Sequence, residues 1–168
     1  MDAEKTIAYD DAATFMTRVN RLDKASRAEL RHACGKGLNE AGTKALFAFY
    51  SCYPPKGYLE PIYFTAACLS CMPVTPLKKI SLENYLRLAI SKNESLADRV
   101  IRLLDTEYDS EDGTLVTRLM SFIRMAKADS YEIDCLPLIR YLSNWNNDSQ
   151  WVQKRIARAC FGSYESND

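Results

Sequence analysis

The sequence predicts an all-α protein of about nine helices, arranged as two helical bundles with no sheet. Apolar residues recur at three- and four-residue intervals along almost the whole chain, and alternating apolar and polar runs are nearly absent. Pro54-Pro55, Pro73, Pro76 and the Gly35/Gly37 pair fall between the periodic segments. A missing N–H or a free backbone torsion ends a helix there.

The first helix places Phe15, Val19 and Leu22 on one stripe, with Arg18 and Arg21 beside it, and ends near Asp23. Ser26-Arg-Ala-Glu29 reads as a capping box that opens a second helix through Cys34. A third runs from Asn39 to Tyr53 and is stopped by the proline pair; a fourth runs from Leu59 to Met72, ended by Pro73 and Pro76. Ser81 opens a fifth, with Leu82, Leu86 and Ile90 set for burial. Ser95-Leu-Ala-Asp98 is a second capping box, and Leu96, Val100, Leu103 and Leu104 form the apolar face behind it. The acidic run Glu107-Tyr-Asp-Ser-Glu-Asp112 ends that helix. From Asp112 to Lys127, Leu115, Leu119, Phe122 and Ala126 share a narrow stripe, and Cys135 to Asn144 forms the next helix. The polar turn Asn146-Asn-Asp-Ser149 is expected to cap the last helix, from Trp151 to Phe161. The Lys92-Asn93 turn divides the chain into an N-terminal bundle, residues 1–92, and a C-terminal one, 93–168.

Twenty-two Lys and Arg balance twenty-two Asp and Glu, so a polyanion site must come from uneven distribution. Acids collect in Met1-Asp-Ala-Glu, Asp10-Asp11, the Glu107–Asp112 run and Glu165-Ser-Asn-Asp168, which leaves several helices locally basic. No cationic start precedes an apolar run and no long apolar stretch occurs, so a cytoplasmic protein with no membrane partner is expected. Its six cysteines then read as reduced thiols, with Cys34, Cys52, Cys135 and Cys160 as small core residues.

Residues for catalysis are scarce. Cys68-Leu-Ser-Cys71 has a redox or zinc half-site spacing, but it lies in an apolar helix without a second close pair. His32 is the single histidine, and neither a nucleophile elbow nor a Gly-rich phosphate loop is present. Asp109, Glu111 and Asp112 read as a solvated linker. No catalytic residue, metal, cofactor or small-molecule substrate is expected.

The basic helical faces are the stronger lead. On the last helix Trp151, Lys154, Arg155 and Arg158 gather within an arc of roughly 100°, while Val152, Ile156, Ala159 and Cys160 fill the adjoining arc. One face packs; the other is a cationic stripe with a ring, a small footprint for phosphate and base. Arg27 and Arg31, Arg99 and Arg102, then Arg118, Arg124 and Arg140 repeat the pattern. Arginine's planar fork suits bidentate phosphate contact. Arg27, Arg31, Arg118, Arg124, Arg140, Trp151, Lys154, Arg155 and Arg158 are thus the candidate nucleic-acid contacts. Two other readings are a structural adaptor whose basic faces meet acidic protein surfaces, and a thiol oxidoreductase using Cys68 and Cys71.

Four segments carry a family resemblance: Leu22-Asp-Lys-Ala-Ser-Arg-Ala-Glu-Leu-Arg31; Phe47-Ala-Phe-Tyr50 with Pro54-Pro55, Tyr63-Phe64 and Pro73; Ser81-Leu82 with Leu115-Val-Thr-Arg-Leu-Met-Ser-Phe-Ile-Arg124; and Asp134, Leu142 and Trp145 followed by Val152-Gln-Lys-Arg-Ile-Ala-Arg158 and Phe161. In this order and spacing, from Phe15 to Gly162, the chain resembles the CasB family, the small subunit of the type I-E CRISPR surveillance complex Cascade. The resemblance implies a non-enzymatic helical subunit present in two copies beside the backbone and large subunits. It also implies that its basic surface stabilises the R-loop, holding the displaced single-stranded DNA and supporting the crRNA–DNA hybrid.

Overall fold

The computed structural model describes residues 2–72 and 78–162, with side chains from residue 11 onward. Pro73, Pro76 and the acids of 165–168 lie outside the described residues. Nine α-helices appear among them: α1 Asp2–Asn20, α2 Lys24–Ala33, α3 Thr43–Tyr50, α4 Glu60–Ser70, α5 Leu82–Lys92, α6 Leu96–Leu104, α7 Thr114–Ala128, α8 Leu136–Ser143 and α9 Trp151–Phe161. None is long and apolar enough to cross a membrane.

The expectation of no sheet is corrected. Strands β1, Lys78–Ile80, and β2, Tyr131–Ile133, pair in parallel, with Lys78 opposite Tyr131 and Ile80 opposite Ile133. Asp134 N–H extends the ladder to the Ile80 carbonyl at 2.9 Å. Three residues are too few to display a two-residue period, and parallel partners are necessarily distant in sequence.

Helix α4 is the central rod. Ile62, Tyr63, Phe64, Ala66, Ala67, Cys68 and Leu69 are all buried, a helix apolar nearly all round because α1, α2, α7 and α8 surround it. Ala66, Ala67 and Cys68 let neighbouring backbones approach. Around its first turns the aromatics lock edge to face: Phe15 to Phe49 at 5.9 Å, Phe15 to Tyr63 at 5.0 Å and Phe49 to Phe64 at 5.1 Å. On the other side α5 lays Leu82, Tyr85, Leu86 and Ala89 toward α9, which contributes Val152 and Ile156. A single hydrophobic cluster runs through both halves, continuous across the α5–α6 turn at residue 92.

Helix starts differ from the capping boxes expected. The cap of α2 is Asp23, whose Oδ1 accepts from Ser26 N–H at 2.7 Å, so the helix begins ahead of Ser26. That bond holds the Asp23 carboxyl below its usual range. At α6, Ser95 occupies the cap position, but its hydroxyl donates to Asn93 Oδ1 at 2.7 Å instead of capping. The turn before α9 closes on itself through Asn147 Oδ1 and Ser149, leaving Gln150 as a cap residue in the left-handed region without a side-chain bond. Ser81 caps α5 as expected, accepting from Asn84 N–H at 3.2 Å. Asparagine and serine have several local backbone partners to choose among, so the cap motif alone does not select the winner.

Burial raises all six thiols above their ordinary value of 9.0, Cys34 to about 12 and Cys160 to about 11. Each group binds its proton more tightly folded than unfolded, so the native state loses stability as pH rises above the unfolded thiol value. Denaturant midpoints are expected to hold below about pH 8.5 and fall steadily above pH 9. A flat profile to pH 11 would contradict the burial.

Candidate nucleic-acid interface

The basic residues divide by what their guanidinium groups touch. Arg27 is half-buried, donating from Nη1 to the Val19 carbonyl at 3.1 Å and from Nη2 to the Ser70 carbonyl at 3.0 Å. It thereby ties the C-terminal ends of α1 and α4 to α2, where last-turn carbonyls with spare acceptor capacity and the negative ends of the helix dipoles favour a cation. Arg118 does the same for α6, its Nη1 donating to the Arg102 carbonyl at 2.7 Å and to the Thr106 hydroxyl. Arg99 donates to Ser121 Oγ and lies 5.4 Å over the Phe122 ring. Arg27 and Arg118 are therefore clamps between helices, which takes them out of the outward-facing set. Sequence periodicity could not separate these roles, because a cation on a helix edge has the same spacing whether it meets water or a neighbour's carbonyl.

Arg31, half-buried, and Arg124, exposed, belong to the α2–α7 side, where Arg124 is near Cys34 and Arg31 near Cys71. Lys154 is exposed but faces an open depression of about 590 Å³ whose lining includes Asp105, Glu107 and Asp148. Those carboxylates repel phosphate, so Lys154 sits on the acidic flank of α9.

The remaining candidates come together where α5, α8 and α9 meet. The Arg140 guanidinium lies 4.9 Å over the Trp151 ring, and Trp151 meets the Tyr141 ring edge to face at 6.2 Å. Tyr141 donates to Glu83 Oε1 at 2.8 Å, and the same oxygen receives Arg155 Nε at 3.5 Å. Glu83 is 13% exposed and Arg155 58%, so the acid is the inner anchor and the cation reaches solvent. Burial, and after it the bond to Glu83, pushes the Tyr141 hydroxyl up to about 12. Arg158, one turn beyond Arg155, is exposed.

Arg87 on α5 lies near enough to Cys160 to oppose the rise of that thiol, and so borders the same group. Sequence reasoning missed Arg87 and Glu83. Their four-residue spacing on α5 was the available signal, though nothing local indicated that α5 would lie against α9. Trp151 packs beneath Arg140 and holds a cation at the surface. The chemistry this arrangement offers is anion binding by Arg140, Arg155 and Arg158, with Arg87 at the edge and one inward carboxylate.

No family model matches the chain, and neither a curated protein nor a solved structure does.

Cys68 and Cys71 are both buried in and just after α4, and burial raises both thiols. A redox pair needs a reachable, low-pKa sulfur, so these act as small packing residues. Among the described residues no cluster of three or more His, Cys, Asp or Glu could hold a metal ion.

Proposed function

We propose that this chain is a non-catalytic small subunit of a type I-E CRISPR Cascade complex. It binds nucleic-acid backbone and stabilises the R-loop: base pairing reads the sequence, while the protein lowers the free energy of the opened state by capturing strand that would otherwise re-anneal. The observation that carries this reading is the placement of Arg140 and Arg155 at the α8–α9 surface, with Trp151 stacked under the first and Glu83 anchoring the second, and with exposed Arg158 one helical turn beyond Arg155. The ordered resemblance to the CasB family supports the assignment to Cascade. In that assembly the partners are a second copy of the chain, the backbone and large subunits, displaced single-stranded DNA and the crRNA–DNA hybrid. The site is narrower than periodicity alone suggested, since Arg27 and Arg118 serve as clamps.

The test is fluorescence anisotropy of a labelled oligothymidylate with the wild type and with the Arg155→Ala/Arg158→Ala variant. The variant is expected to bind roughly tenfold more weakly or worse, with a salt slope shallower by about 1.4, at about 0.7 per lost phosphate contact. Its circular dichroism should match the wild type. Equal binding by the two proteins removes α9 from the site. If the wild type gives no anisotropy change at low salt and co-purifies with protein subunits alone, the chain is a structural adaptor.

A further inference from the structure

A second surface, far in sequence from α9, exposes rings where a folded chain ordinarily hides them. Phe47 is 77% exposed, Tyr50 47%, Tyr53 77% and Tyr58 83%, all between the last turns of α3 and the start of α4. Phe47 and Tyr50 are one turn apart on α3, and Tyr50 donates to Glu60 Oε1 at 2.5 Å, which joins the end of α3 to the first residue of α4. Tyr53 follows as the helix unwinds.

The intervening loop is held in shape. Tyr53 has φ of +54°, a left-handed conformation that a bulky side chain adopts at a cost, and it precedes Pro54-Pro55. The Arg18 guanidinium lies 5.2 Å over the Tyr53 ring and donates to the Cys52 carbonyl at 3.4 Å. Strain here presents a ring to solvent without satisfying the core, which already has Phe49 and Cys52.

Cations frame the rings. Arg18 covers one face of Tyr53, Lys44 stands one turn before Phe47, and Lys56 lies between the prolines and Tyr58; all three are exposed. Glu60 is the carboxylate that touches the patch, and it is engaged by the Tyr50 hydroxyl. Exposed rings interleaved with cations match a single-stranded nucleic acid, whose bases stack on aromatic faces while phosphates meet Lys and Arg. We infer that the Phe47–Tyr58 surface is a stacking platform for single-stranded nucleic acid, separate from the arginine group on α9. This inference rests on the proposed nucleic-acid function and adds where the bases, as opposed to the backbone, are held.

The experiment compares Tyr53→Gly and the Phe47→Ala/Tyr58→Ala variant with the wild type. Each is titrated with labelled oligothymidylate and with an abasic oligonucleotide that keeps the phosphates and lacks the bases. Affinity for oligothymidylate is expected to fall roughly tenfold per ring that stacks. Abasic binding should be unchanged, as should the salt slope. Tyr53→Gly should not lower the thermal midpoint, because glycine occupies the left-handed region without strain. Equal oligothymidylate affinity in wild-type and ring variants, with loss in Arg155→Ala/Arg158→Ala, overturns the platform and leaves the α9 reading standing. Intact strand binding with an altered sedimentation coefficient assigns the rings to a contact between copies and also overturns it. If the wild type binds neither oligonucleotide, both readings fall.

Discussion

Trp145→Ala is expected to lower the unfolding free energy by about 3–5 kcal/mol, the range for removing a large buried aromatic. The indole is 1% exposed and sits just after α8, at the junction with the turn leading to α9. Its Nε1–H donates to the Thr106 carbonyl at 2.7 Å, and its own carbonyl accepts from Gln153 Nε2 at 2.6 Å. Thr106 also bonds the Arg102 carbonyl and receives Arg118, so the ring supports the end of α6 and the α7 clamp, while the Trp145 backbone carbonyl holds the start of α9. Truncation would open a cavity and leave the Thr106 carbonyl without its donor. Trp145→Phe separates the two contributions: most of the volume stays and the loss should shrink to about 1–2 kcal/mol, the hydrogen bond plus a small void. Urea unfolding followed by circular dichroism measures both. A loss below about 1 kcal/mol for the alanine variant would contradict this account of the packing.

Arg27→Ala should cost about 3 kcal/mol, because it removes two charge-assisted hydrogen bonds at helix ends that are partly shielded from water. Val19 and Ser70 belong to α1 and α4, so the same side chain fixes two helices against α2. Lysine recovers only part of the loss, since a single ammonium on a flexible stem does not reproduce a fork reaching two carbonyls. The discriminating readout is strand binding per folded molecule, measured at low temperature where the variant remains native. It should equal that of the wild type, which separates a helix clamp from a phosphate contact. A variant of full stability with weakened strand binding would return Arg27 to the interface.

Much of this molecule was legible from residue order. Helical periodicity located every helix, because an amphipathic stripe records which face will be buried before the partner is known. Val152 and Ile156, on the apolar stripe of α9, are fully buried. Boundaries were less accurate: α3 ends at Tyr50, ahead of Pro54-Pro55, because the chain turns through Tyr53 in the left-handed region. Phe47 and Tyr50 stand in the sequence only as part of the family resemblance, and their exposure and that of Tyr58 are not legible there, since exposure of an aromatic depends on what the fold places beside it.

Sequence alone determined the helical class, the order of the helices and the unequal charge of helix faces, all properties of neighbours within one or two turns. Tertiary structure decided which arginines are free to meet a ligand. Arg27 and Arg155 carry the same charge at similar helical spacing, yet one ends on two backbone carbonyls and the other reaches solvent beside Glu83. The pairing of β1 with β2 was likewise decided at that level. The physical reason is common to both: a side chain's or strand's partner comes from elements far along the chain, and only packing brings the two within hydrogen-bonding distance.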